Sequence, residues 1–181
     1  MAKKSAGILL YRLTNQILEV LIVHPGGPFW AKKDIGAWSV PKGEFEEEEN
    51  PLDAAKREFE EEMGEQISGD FIEMTPIKQN SGKTVYAFAI ERDFDVNKIK
   101  SNTFKIEWPP KSGKQQEFPE IDKGEWFDYS TSKQKINEYQ AAIIEELAIK
   151  LKLSEQQLRS KIKGDDTKQG KINPPQLDLF G

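Results

Sequence analysis

The chain has no cysteine, and only one of its 181 residues is histidine, His24. Without cysteine there are no disulfides and no thiolate zinc site, which suits a reducing compartment. His24 falls at the end of a predicted strand, where an imidazole reads as a packing or hydrogen-bonding group rather than a catalyst. Long apolar runs are also missing. The one at the start, within MAKKSAGILLYR, is too short for a signal peptide, and nothing approaches a membrane span, so the cytoplasm is the expected compartment. There is no internal repeat and no continuous basic stripe, so direct nucleic-acid binding is not expected.

What the chain does have is acid in one place. Residues 43–66 hold eleven acids against two bases, a local charge of −9 that leaves +4 for the remainder of a chain whose net charge is −5. A concentrated acidic patch on a mildly basic body fits a metal-dependent phosphate site. The length allows one domain with a real core plus appendages.

The acidic segment reads as a capped helix. Asn50 offers a side-chain oxygen to the first turn, Pro51 has no amide hydrogen to leave unpaired, and Asp53 suits the positive end of the dipole. The helix runs to Met63, and Gly64 supplies the left-handed residue that ends it. Inside, Glu58, Glu61 and Glu62 fall at i, i+3 and i+4 on one face. Like charges so placed destabilise a helix by roughly 0.2–0.5 kcal/mol per pair, a cost that a bound dication reverses. Hard oxygen ligands select Mg2+ or Mn2+. Beside them Leu52, Ala55, Phe59 and Met63 form an apolar stripe for docking on a sheet, while Glu60 and Glu65 read as a solvated face.

Elsewhere, residues 5–13 and 17–24 read as strands of a hairpin around Thr14-Asn15-Gln16, residues 26–33 as a loop, and 37–40 as a short strand. Residues 71–78 and 84–91 read as a second hairpin around Asn80-Ser81-Gly82. Residues 104–108 and 125–129 read as strands separated by a Pro- and Lys-rich loop. Residues 133–151 read as one helix with Ile136, Tyr139, Ile143, Leu147 and Leu151 on its apolar stripe, and Ser154 as the cap of a last helix to about 163. Strands with a helix between them and a helix near the end give an α/β layered domain over 1–163. The polar, Pro-containing 164–181 reads as a flexible tail.

The spacing of residues 43–64 resembles the Nudix box, G-x5-E-x7-R-E-U-x-E-E-x-G-U with U a bulky apolar residue. Gly43, Glu49, Arg57, Glu58, Phe59, Glu61, Glu62 and Gly64 fill eight of its nine specified places; Glu65 stands at the last U, with Ile67 available for its packing job. The resemblance implies an α/β/α sandwich with a mixed sheet, and hydrolysis of a nucleoside diphosphate linked to a group X. It also implies that Glu58, Glu61 and Glu62 hold the cations with the Gly43 carbonyl, that Arg57 pairs with Glu49, and that a loop glutamate before a late strand acts as ligand or base. Glu120 is the first candidate for that glutamate and Glu117 the second.

For X, the lead-in Trp38-Ser39-Val40-Pro41-Lys42-Gly43 looks more like dinucleoside polyphosphate hydrolases of the animal type than the Pro-Gly-Gly of many nucleoside triphosphate cleaners. Lys42 is placed to reach a phosphate. Phe29, Trp30, Trp38 and Trp108 sit in or near loops, where a ring stacked on a base contributes about 1–3 kcal/mol, or packs against the body instead. Dinucleoside polyphosphates stand slightly ahead of modified nucleoside triphosphates, and a nucleotide sensor without catalysis is the third reading. The segment Gln176-Leu177-Asp178-Leu179-Phe180 resembles the peptide by which bacterial replication and repair proteins bind the sliding clamp; its alternative is a terminal apolar segment folding back on its own domain or on a second copy of the chain. The sequence leaves the oligomeric state open, a homodimer included.

Overall fold

The computed structural model describes residues 3–159. The first hairpin forms as β1 (Lys4–Thr14) and β2 (Ile17–Pro25), and its turn residues Asn15 and Gln16 have φ of 51° and 65°. Two positive φ values in succession give the turn whose twist matches that of the flanking strands. β3 (Lys42–Phe45) follows, then α1 (Pro51–Met63). Asn50 caps α1 by accepting from the amides of Leu52 at 2.9 Å and Asp53 at 3.3 Å, and Gly64 ends it at φ 81°. Both helix boundaries lie where the capping residues put them.

Next come β4 (Ile72–Glu73), β5 (Ile77–Lys78) and β6 (Thr84–Glu91). The strand expected over 71–78 is broken in two. Pro76 has no amide to offer a ladder, and the Thr75 amide instead donates to the Glu146 carboxylate at 2.9 Å. β7 (Thr103–Glu107) and β8 (Gln115–Pro119) make a separate two-stranded ribbon, and β9 (Ile121–Asp128) returns to the main sheet. β8 replaces part of the expected loop: it shows no apolar alternation, and Phe118 against Phe104 is its side-chain anchor.

The expected single helix over 133–151 is also two, α2 (Tyr129–Lys135) and α3 (Ala141–Lys150). The break at Ile136 and Asn137 is made by residue 38. Trp38 donates its amide to the Lys135 carbonyl at 3.0 Å and accepts from the Asn137 amide at 2.7 Å, which draws the chain into an extended bridge. Residues 37–40, expected as a strand, contribute two isolated bridges instead: Ser39 to Val23 and Trp38 to Ile136. Past α3, the amides of Gln157 and Leu158 donate to the Ser154 carbonyl in one turn; residues 160–163 of the expected last helix and the whole of 164–181, with 176–180, lie outside the described residues.

Among the described residues, seven strands form a mixed sheet. β1 lies parallel to β6 on one side, and on the other it pairs antiparallel with β3 along its first half and β2 along its second; β9 follows β2. Alternate residues of β1 serve two cores. Ala6, Ile8 and Leu10 face α1 with Ala55, Phe59 and Met63, while Leu9 and Tyr11 face α3 with Ile143 and Leu147. This is the α/β/α sandwich. Ile67 is buried beside Phe59 and Met63 and fills the place that Glu65 leaves, since Glu65 turns outward to Arg92 at 2.5 Å. Burying a side chain the size of Phe59 contributes roughly 1.5–3 kcal/mol, enough to fix the rotation of α1 and so the direction of its glutamates.

Candidate active site

The glutamate face of α1 rests on β3. The contact is so close at Gly43 that a Cβ there would fall on the Glu58 carboxylate, so the position must be glycine for Glu58 to lie flat on the strand. One turn on, Glu62 accepts from the Lys42 amide at 2.7 Å. Strand and helix are thus joined by two of the three stripe glutamates.

Arg57 forks onto Glu49, with Nε to Oε1 at 3.1 Å and Nη2 to Oε2 at 3.0 Å. Its Nη1 donates to Glu58 at 2.6 Å and to Glu61 at 3.3 Å, and Nη2 also reaches the Glu44 carbonyl at 3.4 Å. The bidentate bond holds the Glu49 carboxyl below its usual range and raises the guanidinium further above neutrality. Among the described residues, no three Asp, Glu or His side chains already converge as a metal cage, since Arg57 takes Glu58 and Glu61 and the Lys42 amide holds Glu62. In this structure the guanidinium is the cation that Glu49, Glu58 and Glu61 share.

Burial pushes the Glu58 carboxyl up, Arg57 opposes the shift, and the charges of Glu61 and Glu120 add to it. Glu62 is pushed up further, first by burial and then by Glu58 and Glu120, against the Lys42 charge and amide. Lys42 is pushed down by burial and by Lys83, while Glu62 and Glu58 hold it up. Glu58 and Glu62 therefore feel each other's charge and that of Glu120 beside one half-buried ammonium. Such crowding of hard oxygens is the chemistry that a divalent cation relieves.

Glu120 sits between β8 and β9 and is held through its backbone. Its amide donates to the Asn102 carbonyl at 2.8 Å, and its carbonyl accepts from the Gly26 amide at 2.9 Å. Asn102 in turn donates to the Glu61 carbonyl at 3.2 Å, so the segment is tied back to α1. Glu117 goes elsewhere: it lies on β8 opposite Lys105 and takes the Thr103 hydroxyl. Asn102 and Gly26 were invisible in the sequence because they act through main-chain atoms, which no side-chain pattern announces.

The aromatic candidates divide. Trp38 is 1% exposed, packed edge-on against Phe127 at 5.0 Å and His24 at 5.3 Å, with its Nε1–H on Asp34 at 2.8 Å. It is a core residue with no face for a base, which corrects its placing among the stacking candidates. Phe29 and Trp30 are 61% and 39% exposed; Phe29 meets Trp108 edge-on at 5.4 Å, and the Lys33 ammonium lies 4.6 Å from the Trp30 ring centre. Their loop is pinned to the β7–β8 ribbon, where a Cβ on Gly26 would strike the Pro119 carbonyl. Gln176, Leu177, Asp178, Leu179 and Phe180 lie outside the described residues.

A mixed sheet between helical layers, with a capped helix laying its glutamates on a glycine strand, defines the Nudix class of hydrolases. The family model described as the NUDIX domain matches residues 1–147, and the chain belongs to that family. An Ap4A hydrolase from C. elegans, in a binary complex, is similar over 83% of this chain and 98% of its own, with a TM-score of 0.56 and 17% identity. The NUDIX domain of Shewanella oneidensis NrtR, complexed with ADP ribose, matches over 83% of this chain and 89% of its own, with a TM-score of 0.56 and 14% identity. A NUDIX hydrolase from Listeria monocytogenes matches over 87% and 98%, with a TM-score of 0.55 and 16% identity. At these identities the likeness is one of fold.

Proposed function

We propose that the chain hydrolyses a phosphoanhydride bond in a nucleoside diphosphate linked to a further group, with dinucleoside polyphosphates as the preferred class. The observation that carries this reading is the packing of the Glu58 carboxylate onto Gly43 and of Glu62 onto the Lys42 amide, with the charge of Glu120 helping to push both carboxyls up. Nudix enzymes generally use divalent metals, and the donors here, carboxylates plus the Gly43 carbonyl, fit Mg2+ or Mn2+. Glu58, Glu61 and Glu62 would hold the ion, which when bound neutralises phosphate charge and acidifies a water.

The chain's own residues do the rest. Arg57 and Glu49 fix the helix against the loop before it. Lys42 offers its ammonium to a phosphate oxygen, and Glu120 takes the proton of the attacking water as the P–O bond to the leaving phosphate breaks. Phe29 and Trp30 offer exposed ring faces to a base. The Pro-Lys-Gly lead-in favours dinucleoside polyphosphates over modified nucleoside triphosphates.

Turnover of a dinucleoside tetraphosphate by the wild-type chain and by Glu61→Gln tests the assignment. Loss of turnover with an unchanged fold supports it, whereas an equal rate in both shows that the site lies elsewhere. The nucleotide-sensor reading predicts tight binding and no turnover by either.

Residues 176–180 carry a separate proposal, docking to a sliding clamp in the cytoplasm, supported by the Gln-Leu-Asp-Leu-Phe sequence. It would favour nucleotide-pool cleaning over signalling nucleotides. Binding to purified clamp by the full chain but not by residues 1–175 supports it, and equal binding by both sinks it.

A further inference from the structure

His24 lies on β2, outside the acidic cluster, and is 3% exposed. Its Nδ1 is 2.8 Å from Asp122 Oδ1, and its Nε2 is 2.8 Å from the Lys33 carbonyl oxygen. Both partners are acceptors, because a carbonyl oxygen carries no proton and an ionised carboxylate carries none. A neutral imidazole has one N–H and one lone pair, so it serves one of these partners and faces the other lone pair to lone pair. The ring that serves both is doubly protonated. Charged groups of both signs surround it. Asp122 of β9 is in contact; Lys123, opposite His24 in the β2–β9 register, sends its ammonium to 5.0 Å from the Trp38 ring centre; and Lys135 of α2, over the same ring, is paired with Asp34 at 2.6 Å.

The two bonds join two parts of the proposed site that lie outside the acidic helix. Asp122 follows Glu120 by two residues, and Gly26, two residues after His24, donates to the Glu120 carbonyl. Lys33 closes the stretch that carries Phe29 and Trp30. We propose that His24 is a positioning residue, an imidazolium that ties the loop bearing Phe29 and Trp30 to the segment bearing Glu120, so that one buried ring sets both nucleotide and base. The positioning role rests on the function proposed above; the two bonds and the charge of the ring do not.

Because His24 is the only histidine, the imidazole nitrogen resonances of the full chain belong to it alone. With 15N-labelled histidine at neutral pH, both nitrogens are expected to appear protonated, because each faces an acceptor. In Asp122→Asn, whose amide can itself donate, one nitrogen is expected to turn bare. In folded His24→Gln, kcat is expected to fall and KM for the dinucleotide to rise, for a combined loss in kcat/KM of about 10- to 100-fold, with Mg2+ affinity unchanged. A bare ring nitrogen in the wild type overturns the proposal. So do wild-type kcat and KM in folded His24→Gln, or, where that variant does not fold, in Asp122→Asn. A wild-type chain that cleaves no nucleotide defeats the functional reading and the positioning role with it, while the nitrogen spectrum still decides the charge of the ring.

Discussion

Gly43 and Glu58 occupy one space: the carboxylate lies where a side chain at residue 43 would begin. The contact lies between β3 and α1 at the point where the helix offers its glutamates. Gly43→Ala must move Glu58 off the strand while leaving the Phe59 and Met63 packing intact. We expect turnover to fall about 100-fold, in line with an ångström-scale misplacement at a reacting centre, with an unchanged circular dichroism spectrum. A wild-type rate in Gly43→Ala would remove Glu58 from the site.

Arg57 holds Glu49 with two bonds and Glu58 and Glu61 with one nitrogen. Lysine keeps the charge and loses the fork. Arg57→Lys should lower kcat/KM by about 10- to 100-fold, the range for groups that orient ligands without touching substrate. If charge alone matters, Lys will match Arg and Glu49→Gln will be silent.

Glu120 and Glu117 were equal in kind as loop acids in the sequence, yet only Glu120 raises the Glu58 and Glu62 carboxyls, while Glu117 is spent on Thr103. Glu120→Gln should therefore cost about 10²- to 10⁴-fold in kcat, the span for a lost general base, and Glu117→Gln should leave kcat where it was. The reverse ranking would put the base on the ribbon.

Asp34 takes the Lys135 ammonium and the Trp38 Nε1–H, and the first of these does most to hold its carboxyl below the usual aspartate range. A carboxyl lowered by folding contributes stability above its unfolded pKa and loses it as pH falls through the folded value. The side chain is largely exposed, so the contribution at neutral pH is about 0.2–1 kcal/mol. Urea unfolding of wild type and Asp34→Asn should differ by that amount at neutral pH, and the difference should begin to shrink below the ordinary aspartate pKa and vanish below the lowered folded value. A difference that grows on acidification would contradict the pairing.

The parts of the fold that were legible in the sequence are those with a chemical punctuation mark. Asn50 and Gly64 bound α1, the two-residue turn at Asn15 and Gln16 sets the first hairpin, and the periodicity of Ala55, Phe59 and Met63 picks the buried face. The errors come from long-range backbone pairing. The Trp38 main chain splits what reads as one helix at Ile136, and β8 exists because β7 lies beside it. In the site, the glutamate stripe and the Arg57–Glu49 pair were legible from spacing. Trp38 was misplaced because an indole beside a loop has the same sequence signature whether its ring points in or out, and the Asp34 hydrogen bond that decides it is a tertiary contact.

The most direct test of metal-dependent phosphoanhydride hydrolysis is product release from nucleoside triphosphates, oxidised deoxynucleotides, dinucleoside polyphosphates and nucleotide sugars, each with Mg2+ and with chelator. Metal-dependent hydrolysis predicts cleavage with Mg2+ that the chelator abolishes, greatest for the dinucleoside polyphosphates. Cleavage that survives the chelator, or nucleotide binding without cleavage of any of the four classes, would contradict it.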